Sequence, residues 1–211
     1  MKVSIQFKLL LLLGLLTSMV VGFTVVTLIA QANQLKPTRW PGREITVYDQ
    51  SGFKKQLEVA ALQWDNANLG IRFVITDDPH ADVVVKVDER ACDKDCGGMT
   101  EFAGYLPGKL QSIYLPHKPT SRERQNATYY MTRVLVHELG HVLGLPHRSG
   151  CSVMSENFMK ACGISSKRIP EKLVRVCGPL PVDIQDAQKI YGKHDWPNLP
   201  TGCAEHFPKM N

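Results

Sequence analysis

Residues 137 to 147 read His-Glu-Leu-Gly-His-Val-Leu-Gly-Leu-Pro-His, a run that fixes three metal-binding side chains and one carboxylate within eleven positions. His137 and His141 are four residues apart. On a helix both imidazoles therefore lie on one face, a turn apart, and can reach a single metal ion. Glu138 stands beside them, poorly placed to be a third ligand and well placed to hydrogen-bond a water on that metal and take its proton. Gly144 is the expected end of the helix. Without a Cβ it accepts positive φ, which turns the chain sharply and lets His147 approach from a different direction. Three neutral nitrogen donors leave a fourth position for water, the arrangement of catalytic rather than structural zinc.

Five fixed positions, each matched by about one residue in twenty, recur by chance on the order of once in ten thousand chains of this length, so accident is a poor explanation. The flanking sequence agrees. Asn126 or Thr128 is a fitting N-cap, and Tyr130, Val134, Leu135 and Leu139 follow at helical intervals, which puts the motif on a helix.

Cys151-Ser-Val-Met154-Ser follows His147 closely. Together with the histidine motif it resembles the metzincin zinc endopeptidases, whose signature is this motif followed by a Met-turn. The resemblance implies that Met154 forms an apolar floor beneath the three histidines and is not a ligand; an ordinary core methionine is the alternative. Within metzincins the chain is most similar to the matrixin-like catalytic domain. Val182 to Gly192 resembles the matrixin closing helix, and Trp64, Ala81-Asp-Val-Val-Val and Ser112-Ile-Tyr-Leu115 fall in matrixin order, a likeness spanning residues 38–192. The implied fold is α+β and zincin-like: a mixed twisted sheet packed on helices, an active-site helix carrying HExxH, and a small C-terminal subdomain with the Met-turn and closing helix.

Two departures from the family pattern matter. Glu156, not tyrosine, lies two residues after Met154, so the extra tyrosine ligand of astacin-like and serralysin-like members is not expected. No propeptide is expected between the N-terminal apolar stretch and the first strand, and cysteine-switch latency is not expected either. Val176-Cys-Gly-Pro-Leu-Pro-Val-Asp183 faintly echoes that switch downstream, where Cys177 reads better as a disulfide partner.

The run from Leu9 to Ala30 is 22 residues without charge, preceded by Lys2 and Lys8. It is long enough to span a bilayer, and Ala30-Gln-Ala32 offers a cleavage site, so residues 1–32 read as a signal peptide or an N-terminal membrane anchor. Positive residues ahead of it keep the N-terminus in the cytoplasm, and the rest of the chain is expected outside, secreted or anchored by this single segment. The segment holds two of the 25 basic residues and none of the 20 acidic ones, so without it the net charge falls from +5 to +3. That is too little to imply nucleic acid. Lys167, Arg168, Lys172 and Arg175 read as a solvated loop. Six cysteines, an even set in an exported chain, read as up to three disulfides. Cys92 with Cys96 is the expected pair, leaving Cys151, Cys162, Cys177 and Cys203 to brace the loop after Met154 and the tail.

Along the chain, Glu44 to Tyr48 reads as a strand, and Ser51 is the expected cap of a helix with Phe53, Leu57, Ala60, Ala61 and Trp64 on one apolar stripe. Ile71 to Thr76 and Ala81 to Val87 are β-branched strands separated by the turn signal Asp77-Asp-Pro79. Gln111 to Pro116 is expected as an edge strand, Asp93 to Gly98 as a loop. Asn126-Ala-Thr128 matches a glycosylation sequon, with capping the better reading.

These pieces point to a catalytic domain over residues 38–192 with a tail over 193–211. The expected activity is zinc-dependent cleavage of peptide bonds: His137, His141 and His147 hold one ion and Glu138 acts as general base. The resemblance implies an extended protein or peptide substrate added to the edge strand at Ile113, Tyr114 and Leu115. A monomer is expected, and a calcium site has no support in the sequence. The alternative from another class, a secreted or membrane-attached zinc-binding module without catalysis, needs a damaged ligand or base, and all four groups are present.

Overall fold

Strands rich in Val and Ile assemble into one five-stranded sheet of order β2-β1-β3-β5-β4. In this computed structural model residues 38–89, 97–121, 129–163 and 178–196 are described. The strands are β1 (Glu44–Asp49), β2 (Arg72–Thr76), β3 (Val83–Val87), β4 (Met99–Thr100) and β5 (Gln111–Leu115), and the helices are α1 (Lys54–Asp65), α2 (Tyr129–Val142), α3 (Phe158–Ala161) and α4 (Pro181–Tyr191). Strands β2, β1, β3 and β5 pair in parallel, whereas β4 runs antiparallel to β5. The mixed sheet is thus as expected, but β5 is not its edge. Met99 pairs with Tyr114 and Thr100 with Ile113, so the two-residue β4 lies outside β5.

Ile45 and Val47 of β1, Val83 and Val85 of β3 and Ile113 and Leu115 of β5 are fully buried and share one face by the two-residue period of a strand. Against that face pack α1, through Leu57, Ala60, Ala61 and Trp64, and α2, through Leu135 and Leu139, in one continuous core. Ser51 does not cap α1. The helix begins after Phe53 with no side-chain cap. The Ser51 hydroxyl is instead drawn to Asp49 Oδ1 at 2.6 Å and accepts from the Phe53 amide at 3.2 Å, closing the turn between β1 and α1.

At the other end of the chain, α4 begins with Pro181 at its first position and the Asp183 carboxylate accepting from the Leu180 amide at 2.9 Å. Contacts continue past Gly192. Lys193 bridges to Leu69, and the Trp196 indole donates to the Leu69 carbonyl at 2.8 Å. No helix among the described residues is long and apolar enough to cross a membrane. The expected N-terminal segment, the Cys92–Cys96 pair, Cys177, Cys203, the Asn126 cap and sequon, and the basic cluster from Lys167 to Arg175 all lie outside the described residues. Cys151 is bonded to Cys162, which closes the loop around Met154.

Candidate metal centre

The active-site helix α2 ends at Val142 and every one of its last four carbonyls has a partner. Leu139 O accepts from Leu143 N, Gly140 O from Leu145 N, and His141 O from both Gly144 N and Gly104 N. Val142 O accepts from the Trp40 indole at 2.8 Å. Gly144 has φ +89°, the left-handed conformation expected for it, and the bonds to Gly140 and His141 are those of a Schellman turn. The turn has a second effect. It brings the Leu145 carbonyl back to His141 Nδ1 at 2.8 Å.

Each imidazole is held in a related way. His137 Nδ1 meets the Val153 carbonyl at 2.7 Å, and His147 Nδ1 meets Glu156 Oε1 at 3.3 Å. With Nδ1–H donated to a backbone carbonyl in His137 and His141, the Nε2 of each presents a lone pair. The three Nε2 atoms stand 3.0–3.2 Å apart. Imidazole nitrogens that close, with no proton between them, repel unless a cation sits among them. A tetrahedral ion with bonds of about 2.0–2.1 Å to nitrogen spaces its ligands by roughly 3.3 Å, so the donor set fits zinc in both chemistry and size. Burial first, and then the neighbouring His137, push His141 down to about 4; burial likewise lowers His137. Both rings are neutral near pH 7, as ligands must be.

Glu138 is buried, 3% exposed, one residue along the helix from His137. Burial raises its carboxyl to about 7, against the opposing hydrogen bond from the Thr100 hydroxyl to Oε2 at 2.7 Å. Met154 is buried and lies under the helix at Gly140, where any Cβ would overlap its sulfur. The loop carrying it is tied to α4. Asp183 accepts from the Ser152 hydroxyl and from the Val153 amide at 3.0 Å, and Val153 in turn supplies the carbonyl for His137.

The Matrixin family model matches residues 43–171. The chain belongs to the matrixin family. The histidine triad and Met154 both fall inside the matched residues. Among solved structures, that of myroilysin is similar, with 21% identity and a TM-score of 0.40 over 52% of this chain and 52% of that one, so the chain spans about half the length of that structure. No match is found among curated proteins.

His137, His141 and His147 are thus brought together around one point, with Glu138 next to His137 on the same helix and Met154 against Gly140. Ile113, Tyr114 and Leu115 are not presented at the sheet edge: Ile113 and Leu115 are fully buried in the core, and β4 covers the outer side of the strand at Ile113 and Tyr114. Sequence reasoning missed Thr100, Gly140 as a contact residue and Asp183. For Thr100 and Asp183 the partners are 38 and 31 or 30 residues away, and no local pattern announces them. For Gly140 a signal existed in the glycine itself at a variable position of the motif.

Proposed function

We propose that this matrixin is a zinc-dependent endopeptidase in which His137, His141 and His147 hold the ion and Glu138 is the general base. The observation that carries this is the convergence of three Nε2 atoms at 3.0–3.2 Å beside a buried carboxylate. Zinc, when bound, polarises the scissile carbonyl and brings the pKa of its water toward about 7. Glu138 takes the proton from that water and returns it to the leaving amine, two transfers that one carboxylate with a pKa near neutrality performs in sequence. Water is the nucleophile.

An extended substrate adds to β4 rather than to Ile113–Leu115. The bond from Glu101 N to Ser112 O, flanking the Thr100–Ile113 pair, identifies that pair as non-hydrogen-bonded, so Thr100 turns its own N–H and C=O away from β5. The Thr100 amide bonds the Glu138 carboxylate, and the Thr100 C=O is the docking point for a peptide strand. The Cys151–Cys162 disulfide supports an oxidising compartment, with residues 1–32 as signal or anchor. Mass spectrometry of the mature N-terminus separates the two: Asn33 first means secreted, Met1 retained means anchored. The activity itself is tested with unfolded protein substrates. Cleavage abolished by a zinc chelator and restored by added zinc is expected; no cleavage of varied unfolded substrates by zinc-loaded protein overturns the proposal.

A further inference from the structure

Thr100 is the point at which the sheet edge touches the active-site helix. Its hydroxyl lies 2.7 Å from Glu138 Oε2 and 3.2 Å from the Glu138 carbonyl. A glutamate side chain has three torsions, the last of them broad, so burial alone does not fix the direction of its carboxylate. A short bond to an ionised oxygen does. Thr100 is also a rigid donor. It is β-branched and therefore stiff at χ1, and its backbone is pinned between the Ile113 pairing and the bond from Glu101 N to Ser112 O.

Gly98 shapes the same carboxylate from another direction. A Cβ at Gly98 would stand 2.9 Å from Val134 Cγ1, 3.0 Å from Glu138 Oε1 and 3.1 Å from Glu138 Cγ. Glycine there leaves the carboxylate the space it occupies, and the threonine two residues on holds it in that space.

We propose that Thr100 is a positioning residue for Glu138: its hydroxyl engages Oε2 and so fixes the orientation in which Oε1 meets the reacting water. The proposal rests on the endopeptidase reading above and adds to it the residue that aims the base. A hydroxyl carries one donor and two lone pairs, so it can hold the carboxylate before the proton arrives and the carboxylic acid afterwards. The Thr100 backbone amide bonds the Glu138 carboxylate as well, so a peptide docking on the Thr100 C=O binds the very residue that orients the base. Substrate binding and base alignment are then coupled through one residue.

The test uses the zinc-loaded full chain with Thr100→Val, which keeps the shape and removes the hydroxyl, and Thr100→Ser, which keeps the hydroxyl. Thr100→Ala substitutes for the valine variant if that one does not fold. Thr100→Val is expected to lose about 10- to 100-fold in kcat, the size of effect a slightly misaimed catalytic group produces. KM is expected within about twofold of wild type, zinc content unchanged, and Thr100→Ser within about threefold of wild-type kcat, the signature of an interaction felt in the transition state. Wild-type kcat in Thr100→Val, a loss confined to KM, or Thr100→Ser as impaired as Thr100→Val overturns the proposal. Crystal structures of the zinc-loaded proteins give a readout independent of turnover. Glu138 is expected in one carboxylate position in wild type and Thr100→Ser, and displaced or spread over alternatives in Thr100→Val. An unchanged carboxylate in Thr100→Val overturns the proposal, whereas absence of proteolysis by wild type overturns only the endopeptidase reading.

Discussion

The three imidazoles differ in what anchors them, and that difference ranks the substitutions around them. His137 and His141 lean on backbone carbonyls of Val153 and Leu145, which no side-chain change removes. His147 leans on Glu156, whose side chain is 79% exposed, at 3.3 Å. Glu156→Ala is therefore expected to weaken zinc binding by about 10-fold, the lower end for loss of a carboxylate that orients a metal-bound histidine. Competition against a chelator of known affinity measures this, and unchanged affinity would show that Glu156 is a bystander. Glu138→Gln has the opposite profile. Zinc content should stay at the wild-type level while kcat falls by about 10²- to 10⁴-fold, the contribution of a general base. A protein that only binds zinc would show no cleavage to lose.

At the scale of elements, the Met-turn and α2 are fitted to each other through Gly140 and Asp183. Gly140→Ala forces a Cβ into the Met154 sulfur and is expected to destabilise by about 1–3 kcal/mol, the cost of overpacking a filled core, read as a lower melting temperature. Asp183→Ala strips the acceptor from Ser152, the Val153 amide and the Leu180 amide, three donors in a buried or half-buried setting. Loss of melting temperature together with weaker zinc binding is expected, because Val153 also carries the acceptor for His137; a fall in stability with zinc affinity untouched would cut that link. What the sequence disclosed at this scale was local. The helix, the Gly144 turn and the place of Met154 follow from spacings of eleven residues or fewer. The edge of the sheet was not disclosed, because Met99-Thr100 is too short to carry an alternation and becomes a strand only by pairing with β5. Ser51 misled for a related reason: its hydroxyl had a nearer partner in Asp49 than the helix it precedes.

For the molecule as a whole, the core that holds α2 in place draws on indoles and a phenol as well as on apolar contact. Trp64 donates to Val136 O, Trp40 to Val142 O and Tyr191 to Leu143 O, so α1, the stretch just before β1 and α4 each bond to the helix carrying the histidines or to the residue just after it. The same core buries Asp65, whose Oδ1 accepts from the Phe73 amide at 3.0 Å. Burial raises this carboxyl from 3.8 to about 6, with the Phe73 hydrogen bond opposing. A folded-state pKa above the unfolded one means that the native state takes up the proton first. The associated stability is complete below about pH 4 and is lost as pH rises through about 6. Asp65→Asn keeps an oxygen for Phe73 and avoids burying a charge, so it is expected to be more stable than wild type at pH 8, by up to about 3 kcal/mol, and close to it near pH 4. Comparing the two proteins at each pH cancels the effect of histidine protonation on zinc release. A constant difference across pH 4–8 would refute the assignment.

X-ray absorption at the zinc edge of the purified, folded protein bears most directly on the convergence of three imidazoles on one ion. The expected spectrum has three histidine nitrogens and one oxygen donor at about 2.0–2.1 Å, with one zinc per chain. Sulfur scattering at about 2.3 Å, a shell of six oxygens, or protein that retains no zinc would contradict it.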